Sequence, residues 1–164
     1  MRSVRNFRPD DKLGMASTLT SLIYHIIFST KARLNLINYR LEMHLYPYMG
    51  GIVRANGGSP IEIGGNYDHV HLLIRLKAAV SIADMVRLVK AGSSKWVREN
   101  HPGEVPFAWQ IGYGAFTVSE SQLERVRIYV RNQKEHHRDK PFEQELRQLL
   151  AKHCVVYDEK YLLD

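Results

Sequence analysis

The sequence predicts an α+β domain in which an antiparallel sheet carries two helices on one face. Three observations predict it. Short extended runs rich in β-branched and aromatic residues alternate with longer stretches of helical periodicity. Two of the extended runs are joined by a brief Gly-containing link, which reads as a hairpin and so sets antiparallel pairing. The composition is that of a folded chain: of 164 residues 45% are hydrophobic and 24% charged, without repeats or low-complexity stretches.

The elements follow in order. Residues 1–16 are polar and unpatterned and read as a loose arm, leaving residues 17–164 as a single domain. Residues 17–30 hold Ile, Tyr, Phe and Thr with no Gly or Pro and read as a strand. Residues 36–55 place Ile37, Leu41, Leu45, Tyr48 and Ile52 at helical spacing; Pro47 inside that run predicts a kink or a late start. Asn56 to Pro60 is a turn. Residues 61–63 and 69–76 form the hairpin, linked through Gly64, Gly65, Asn66, Tyr67 and Asp68. Ser81 opens a helix to about Asn100, ended by His101, Pro102 and Gly103. Residues 107–110 and 113–118 are short strands separated by Gly112, with Gly114 inside the second. Ser119 and Gln122 fit a capping box for a long helix reaching about Arg138, and Pro141 opens a further short helix. The order β-α-β-β-α-β followed by helices is that of a ferredoxin-like sandwich.

Charge and motifs narrow the function. Lys and Arg number 23 against 17 Asp and Glu, a net charge of +6, which favours an anionic partner and nucleic acid first. The single cysteine, Cys154, excludes an internal disulfide and a Cys-based zinc site. No apolar run approaches the ~18 residues of a membrane span, and the basic N-terminus has no apolar signal core. A cytoplasmic protein without membrane contact is expected. There is no G-x-x-x-x-G-K-[ST] loop for a nucleotide phosphate.

Two features carry chemistry. On the strand 69–76 side chains alternate, so Val70, Leu72, Ile74 and Leu76 face a core while His69 and His71 share the other face with Leu73 and Arg75. Such a pair serves either as ordinary sheet residues or as two ligands of one divalent cation. On the last long helix, Leu123, Val126 and Val130 make the apolar stripe at about 100° per residue. Tyr129 stands roughly at right angles to it, on a polar face with Gln122, Arg125, Gln133 and His136. Gln133, one turn beyond Tyr129, reaches the same spot and offers a carbonyl oxygen as a third ligand; His136 and His137 are lower-ranked donors. His25, alternating with Ile23 and Ile27, reads as a satisfied buried histidine, and Trp96 and Trp109 read as core. The helix from Ser81 segregates Met85, Val89, Gly92 and Trp96 from a face with Arg87, Ser94 and Arg98 flanked by Lys90 and Lys95. That face is either solvated or phosphate-binding.

Taken in this order, the set resembles the HUH single-tyrosine transposases. The resemblance spans about residues 17–150 and rests on several segments. These are Tyr24 to Lys31, Gly64 to His71, Lys90 to Trp96, Gln110 to Ser119, and Tyr129 followed by Asn132 and Gln133. The resemblance implies a nuclease and strand transferase acting on single-stranded DNA that carries hairpins. Mg²⁺ or Mn²⁺ would be held by His69, His71 and Gln133, and Tyr129 would be the nucleophile on a C-terminal catalytic helix. The product would be a 5′-phosphotyrosine. It also implies a homodimer in which the tyrosine helix is exchanged in trans, with Gly112 and Gly114 either hinge or tight turn. The helix from Ser81 is assigned to hairpin contact through Arg87, Lys90, Ser94, Lys95 and Arg98, and the scissile strand to Arg125 and Arg131. The chemistry suits these residue types. A divalent cation neutralises and orients a phosphodiester, and a phenol of pKa near ~10 needs a neighbouring cation to become a nucleophile. Two alternatives stay open: a REP-associated nuclease that processes palindromes, and a non-catalytic nucleic-acid-binding module of the same fold. The module is the weaker, because its base-stacking aromatics would stand where His69 and His71 are. Replication initiators and relaxases share the histidine pair in longer chains.

Overall fold

The structure, a computed structural model, describes residues 19–103, 106–136 and 141–162. The expected arm and the end of the long helix, residues 137 and 138, lie outside the described residues. In chain order the elements are β1 (Ile23–Ser29), α1 (Tyr39–Ala55), β2 (Gly58–Gly65), β3 (His69–Leu76), α2 (Ile82–Asn100), β4 (Gly114–Thr117), α3 (Leu123–Arg131), α4 (Gln133–His136) and α5 (Phe142–Lys152). The four strands form one antiparallel sheet in the order β2-β3-β1-β4. This is the predicted β-α-β-β-α-β alternation with helices appended.

The period of two along β1 and β3 divides the molecule into layers. Ile26 and Phe28 of β1 and Val70, Leu72, Ile74 and Leu76 of β3 pack against Leu41, Leu45, Met49 and Val53 of α1 and Met85, Val86, Val89 and Val97 of α2. The second face carries His25, Ile27, His69, His71 and Leu73, all buried. The two expected helices, α1 and α2, thus share the first face, and the appended helices cover the second: α3 packs on β2 and β3, and α5 covers Ile27 and Phe116 with Phe142, Leu146 and Leu150. The histidine face is therefore an interior.

Local departures have local causes. Helix α1 starts at Tyr39 because Asn38 caps it, its side chain accepting from the Leu41 amide at 2.9 Å. Pro47 then lies inside the helix on its exposed side, where its missing N–H costs the helix one bond to the Met43 carbonyl. Ser81 caps α2 as expected, accepting from the Asp84 amide at 3.1 Å. The capping box at Ser119 does not form. Its hydroxyl pairs with that of Ser121, residues 120–122 make a 3₁₀ turn, and α3 begins at Leu123. Helix α3 stops at Arg131 rather than near Arg138, broken at Asn132 (φ −96°, ψ 24°) before Gln133.

Residues 107–110 contribute a single bridge, Thr30 to Trp109, instead of a strand. Trp109 enters the core and donates to Ser93 at 2.8 Å. Lys90 organises the following turn: its ammonium donates to the carbonyls of Gln110, Ile111 and Gly112 at 2.8, 3.0 and 2.6 Å. Lys90 thus turns inward, away from the exposed basic face assigned to DNA. Replacing it by Met is expected to cost about 1–3 kcal/mol, because the stem stays packed while three charge-assisted bonds are lost. Urea unfolding of Lys90→Met against wild type measures this; equal midpoints would mean that the turn holds without the ammonium.

Candidate metal and tyrosine site

The sheet register collects the site. In the β1–β3 pair Ser29 opposes His69 and Ile27 opposes His71, while Gly64 of β2 opposes His71 from the other side. Gly64 lets the tyrosine helix lie directly on the sheet: a Cβ there would stand 2.1 Å from the Val130 carbonyl oxygen. Val130 is fully buried, and α3 packs Leu123, Val126 and Tyr129 around Ile23 and Leu73. Tyr129 is half-buried, its ring centroid 5.9 Å from those of both His25 and His71. The tyrosine and the two histidines, distant in sequence, therefore meet within one chain.

Hydrogen bonds fix the direction of each imidazole. His69 Nδ1 lies 2.7 Å from Asp68 Oδ1. A carboxylate accepts, so Nδ1 carries the proton and the Nε2 lone pair points into the site. There Nε2 lies 3.4 Å from Gln133 Oε1. His71 Nδ1 pairs with His25 Nε2 at 2.8 Å, and His71 Nε2 points toward Glu145 Oε2 at 3.7 Å. Donor atoms of His69, His71 and Glu145 lie within 4.8 Å of one another, all three buried. Lone pairs converging at such distances fit a divalent cation: two imidazoles, an amide oxygen and a carboxylate are its ordinary ligands.

Glu145 was not singled out from the sequence. Its Oε1 accepts from the Tyr129 hydroxyl and from Gln133 Nε2, the latter at 3.1 Å. It sits on the stripe Phe142, Leu146 and Leu150 that α5 buries, and Phe142 stacks on the His69 ring at 4.4 Å. A carboxylate on an otherwise apolar helical stripe was the available signal. Burial first, and then the charge of Asp68, push its carboxyl up to about 8; a bound divalent cation would act in the opposite direction. Gln133, fully buried, also donates to the Tyr129 carbonyl at 3.4 Å. His136 approaches the Tyr129 ring from the exposed side at 4.9 Å, and His137 lies outside the described residues.

His25 matches its expectation of a buried, bonded histidine. Burial, then the nearby His153, lower its pKa from 6.5 to about 3. The unfolded chain takes up a proton in this window and the folded chain does not, so stability is full above about pH 6.5 and declines as pH falls toward 3. Between pH 7 and pH 5 the expected loss from this residue is about 2 kcal/mol. Urea unfolding at both pH values reads it, and His25→Gln should flatten the dependence. An unchanged slope in the variant would assign the loss to other groups.

The residues assigned to DNA are scattered. Arg87 pairs with Asp84 at 3.3 Å and Lys95 with Glu99 at 3.9 Å, both on the exposed side of α2. Ser94 is buried, and Arg98 donates to the Phe107 carbonyl at 3.1 Å. Helix α2 lies across the sheet from the histidines, so this face and the tyrosine are not brought together. Arg131 bonds Glu62 at 2.7 Å. Arg125 does approach the site: with Gln122, Tyr129, Lys152 and His153 it lines a cavity of about 580 Å³ that opens on the tyrosine.

Known proteins resemble this chain in sequence and fold. Residues 18–133 match the family described as "Transposase IS200 like". The chain is 27% identical over 120 residues to the ISDra2 transposase TnpA of Deinococcus radiodurans, covering 68% of this chain and 84% of that one. A transposase crystal structure from Deinococcus radiodurans R1 superposes with a TM-score of 0.59 at 25% identity, over 74% of this chain and 97% of the other. A REP-associated tyrosine transposase, solved bound to a REP hairpin, shares the fold with a TM-score of 0.53 at 10% identity, over 73% and 70% of the two chains. All of α5 lies beyond the matched residues.

Proposed function

The chain belongs to the IS200-like transposase family, and on that footing we propose that it cleaves and rejoins single-stranded DNA through a covalent bond to Tyr129. The observation that carries the reading is the meeting of the Tyr129 ring with His25 and His71, beside donor atoms of His69, His71 and Glu145 that lie within 4.8 Å of one another. A divalent cation, Mg²⁺ or Mn²⁺, held by His69, His71 and Gln133 would neutralise and orient the scissile phosphate. Tyr129 supplies the nucleophile. Its oxygen attacks phosphorus, the bond to the 3′ oxygen breaks, and the products are a 5′-phosphotyrosine and a free 3′-OH. The hydroxyl proton has an acceptor in place at Glu145 Oε1. The phosphotyrosine keeps a phosphodiester that a second 3′-OH can attack, so rejoining needs no nucleotide cofactor. Arg125, at the mouth of the cavity on Tyr129, is placed to meet the strand.

Hairpin recognition is supported by the relative solved on a REP hairpin, and we assign it to the exposed side chains Arg87, Lys95 and Arg98 of α2, which would exchange Asp84, Glu99 and the Phe107 carbonyl for phosphate. Arg131 is left to the scissile strand, which it would meet by leaving Glu62. Transposition of its own element and processing of host palindromes differ in the DNA flanking the gene, where paired terminal hairpins favour the former. Exchange of the tyrosine helix in a homodimer would build the same contacts between two chains; mixing Tyr129→Phe and His71→Ala chains restores activity only in that case.

The test is direct. Incubated with a labelled hairpin oligonucleotide and Mn²⁺, the protein should give a covalent DNA adduct on a denaturing gel, with the modified peptide mapping to Tyr129. No adduct across varied hairpins, or an adduct at another residue, overturns the reading.

A further inference from the structure

We propose that Glu145 is a ligand of the divalent cation, so that α5 completes the metal site with a carboxylate from beyond residues 18–133, the part matched to the family. The proposal rests on the nuclease reading above and adds a residue to it. Three observations converge. Glu145 Oε2 is directed at His71 Nε2, 3.7 Å away, and the donor atoms of His69, His71 and Glu145 span no more than 4.8 Å. Ligands on opposite sides of one Mg²⁺ stand about 4.2 Å apart, so a small inward movement closes the set. Second, the two carboxylate oxygens are divided in use. Oε1 takes the Tyr129 hydroxyl and Gln133 Nε2, while Oε2 is on the imidazole side. The carboxylate can thus bind an ion and still hold the phenol beside it. Third, Glu145 is buried at the edge of the stripe formed by Phe142, Leu146 and Leu150. An apolar residue there would extend the packing; a carboxylate in that place is costly unless it meets positive charge.

The consequence is a change in the ligand set. Two imidazoles and an amide are neutral; adding Glu145 gives the site one negative charge and ties metal binding to the docking of α5. Gln133 then bridges the two halves, its Oε1 toward His69 and its Nε2 toward Glu145.

The experiment is Mn²⁺ binding to the full chain, read from the electron paramagnetic resonance signal of free Mn²⁺, together with the rise in melting temperature that Mn²⁺ produces. Glu145→Gln keeps the shape of the side chain and removes its charge. It should weaken Mn²⁺ binding roughly tenfold or more and abolish most of the Mn²⁺-dependent rise, with the metal-free melting temperature little changed. Unchanged or tighter binding overturns the proposal, since a carboxylate that only plugs the site competes with the ion. Should Glu145→Gln fail to fold, Glu145→Asp keeps the charge and shortens its reach. Weaker binding than wild type supports the ligand role, and equal binding overturns it. The adduct assay separates this from the nuclease reading. A wild-type adduct at Tyr129 with normal Mn²⁺ binding in Glu145→Gln removes only the ligand. Weakened binding without any adduct retains the ligand and removes the nuclease.

Discussion

Tyr129→Phe yields a folded chain that binds Mn²⁺ and forms no covalent bond with DNA. The substitution removes one oxygen. Val130, Leu123 and Val126 still seat α3 on Ile23 and Leu73, and the ring keeps its edge contacts with His25 and His71. What disappears is the hydroxyl that donates to Glu145, a net stability change of about 1 kcal/mol, and the only atom of that side chain able to attack phosphorus. The adduct should fall by more than roughly a thousandfold, as losses of a nucleophile do. Two measurements are paired: band intensity on a denaturing gel, and Mn²⁺ affinity. Loss of the band with unchanged affinity is the expected result. An adduct of wild-type intensity would mean that another residue carries the chemistry.

Gly64→Ala should damage both stability and chemistry, from a position that contacts no substrate. The added Cβ would sit 2.1 Å from the Val130 carbonyl oxygen and 3.0 Å from its carbon. Both are backbone atoms, so no side-chain rotation relieves the clash, and α3 must lift by roughly an ångström or the strand must sink. Overpacking of this kind costs about 1–3 kcal/mol. The displaced residue, Val130, follows Tyr129 directly and precedes Gln133 by three positions, so the lift moves the phenol and the amide away from histidines fixed in β3. A misplacement of about 1 Å costs on the order of 10²-fold in rate. Gly51→Ala is the control. Nothing lies within 4 Å of its Cβ, and within α1 the same change should be neutral or stabilise by about 0.5–1 kcal/mol. Melting temperatures and adduct rates of the two variants decide it; similar values would show that α3 accommodates the methyl group.

How much could be read in advance follows from how local each determinant is. The order of elements was legible because hydrophobic period and turn residues act over a few positions: β3 and the Ser81 cap fall as expected, whereas β2 extends over Gly58–Gly65, through positions read as turn and link, because pairing with β3 carries it on. His69 and His71 were legible as a pair because a strand alternates. Their burial was not, because it depends on α5, which packs back from beyond residue 140. Glu145 stayed hidden for the same reason: a glutamate in a short helix has no special spacing to a tyrosine 16 residues earlier until the chain folds. The inward course of Lys90 was equally remote from local pattern, since its partners are carbonyls 20 to 22 residues away. Ser94 and Arg98, drawn on one helical face, separate: Ser94 is buried, while Arg98 stays exposed and bonds the carbonyl of Phe107 in the loop after α2.

Helix α5 begins after the last residue of the family match. A gene copy shortened by a stop codon just past Gln133 would therefore keep the whole recognisable signature. It would nevertheless lose Glu145 and lay Ile27 and Phe116 open to water. Decayed copies of this lineage would pass for intact ones in any census that counts histidines and tyrosine alone.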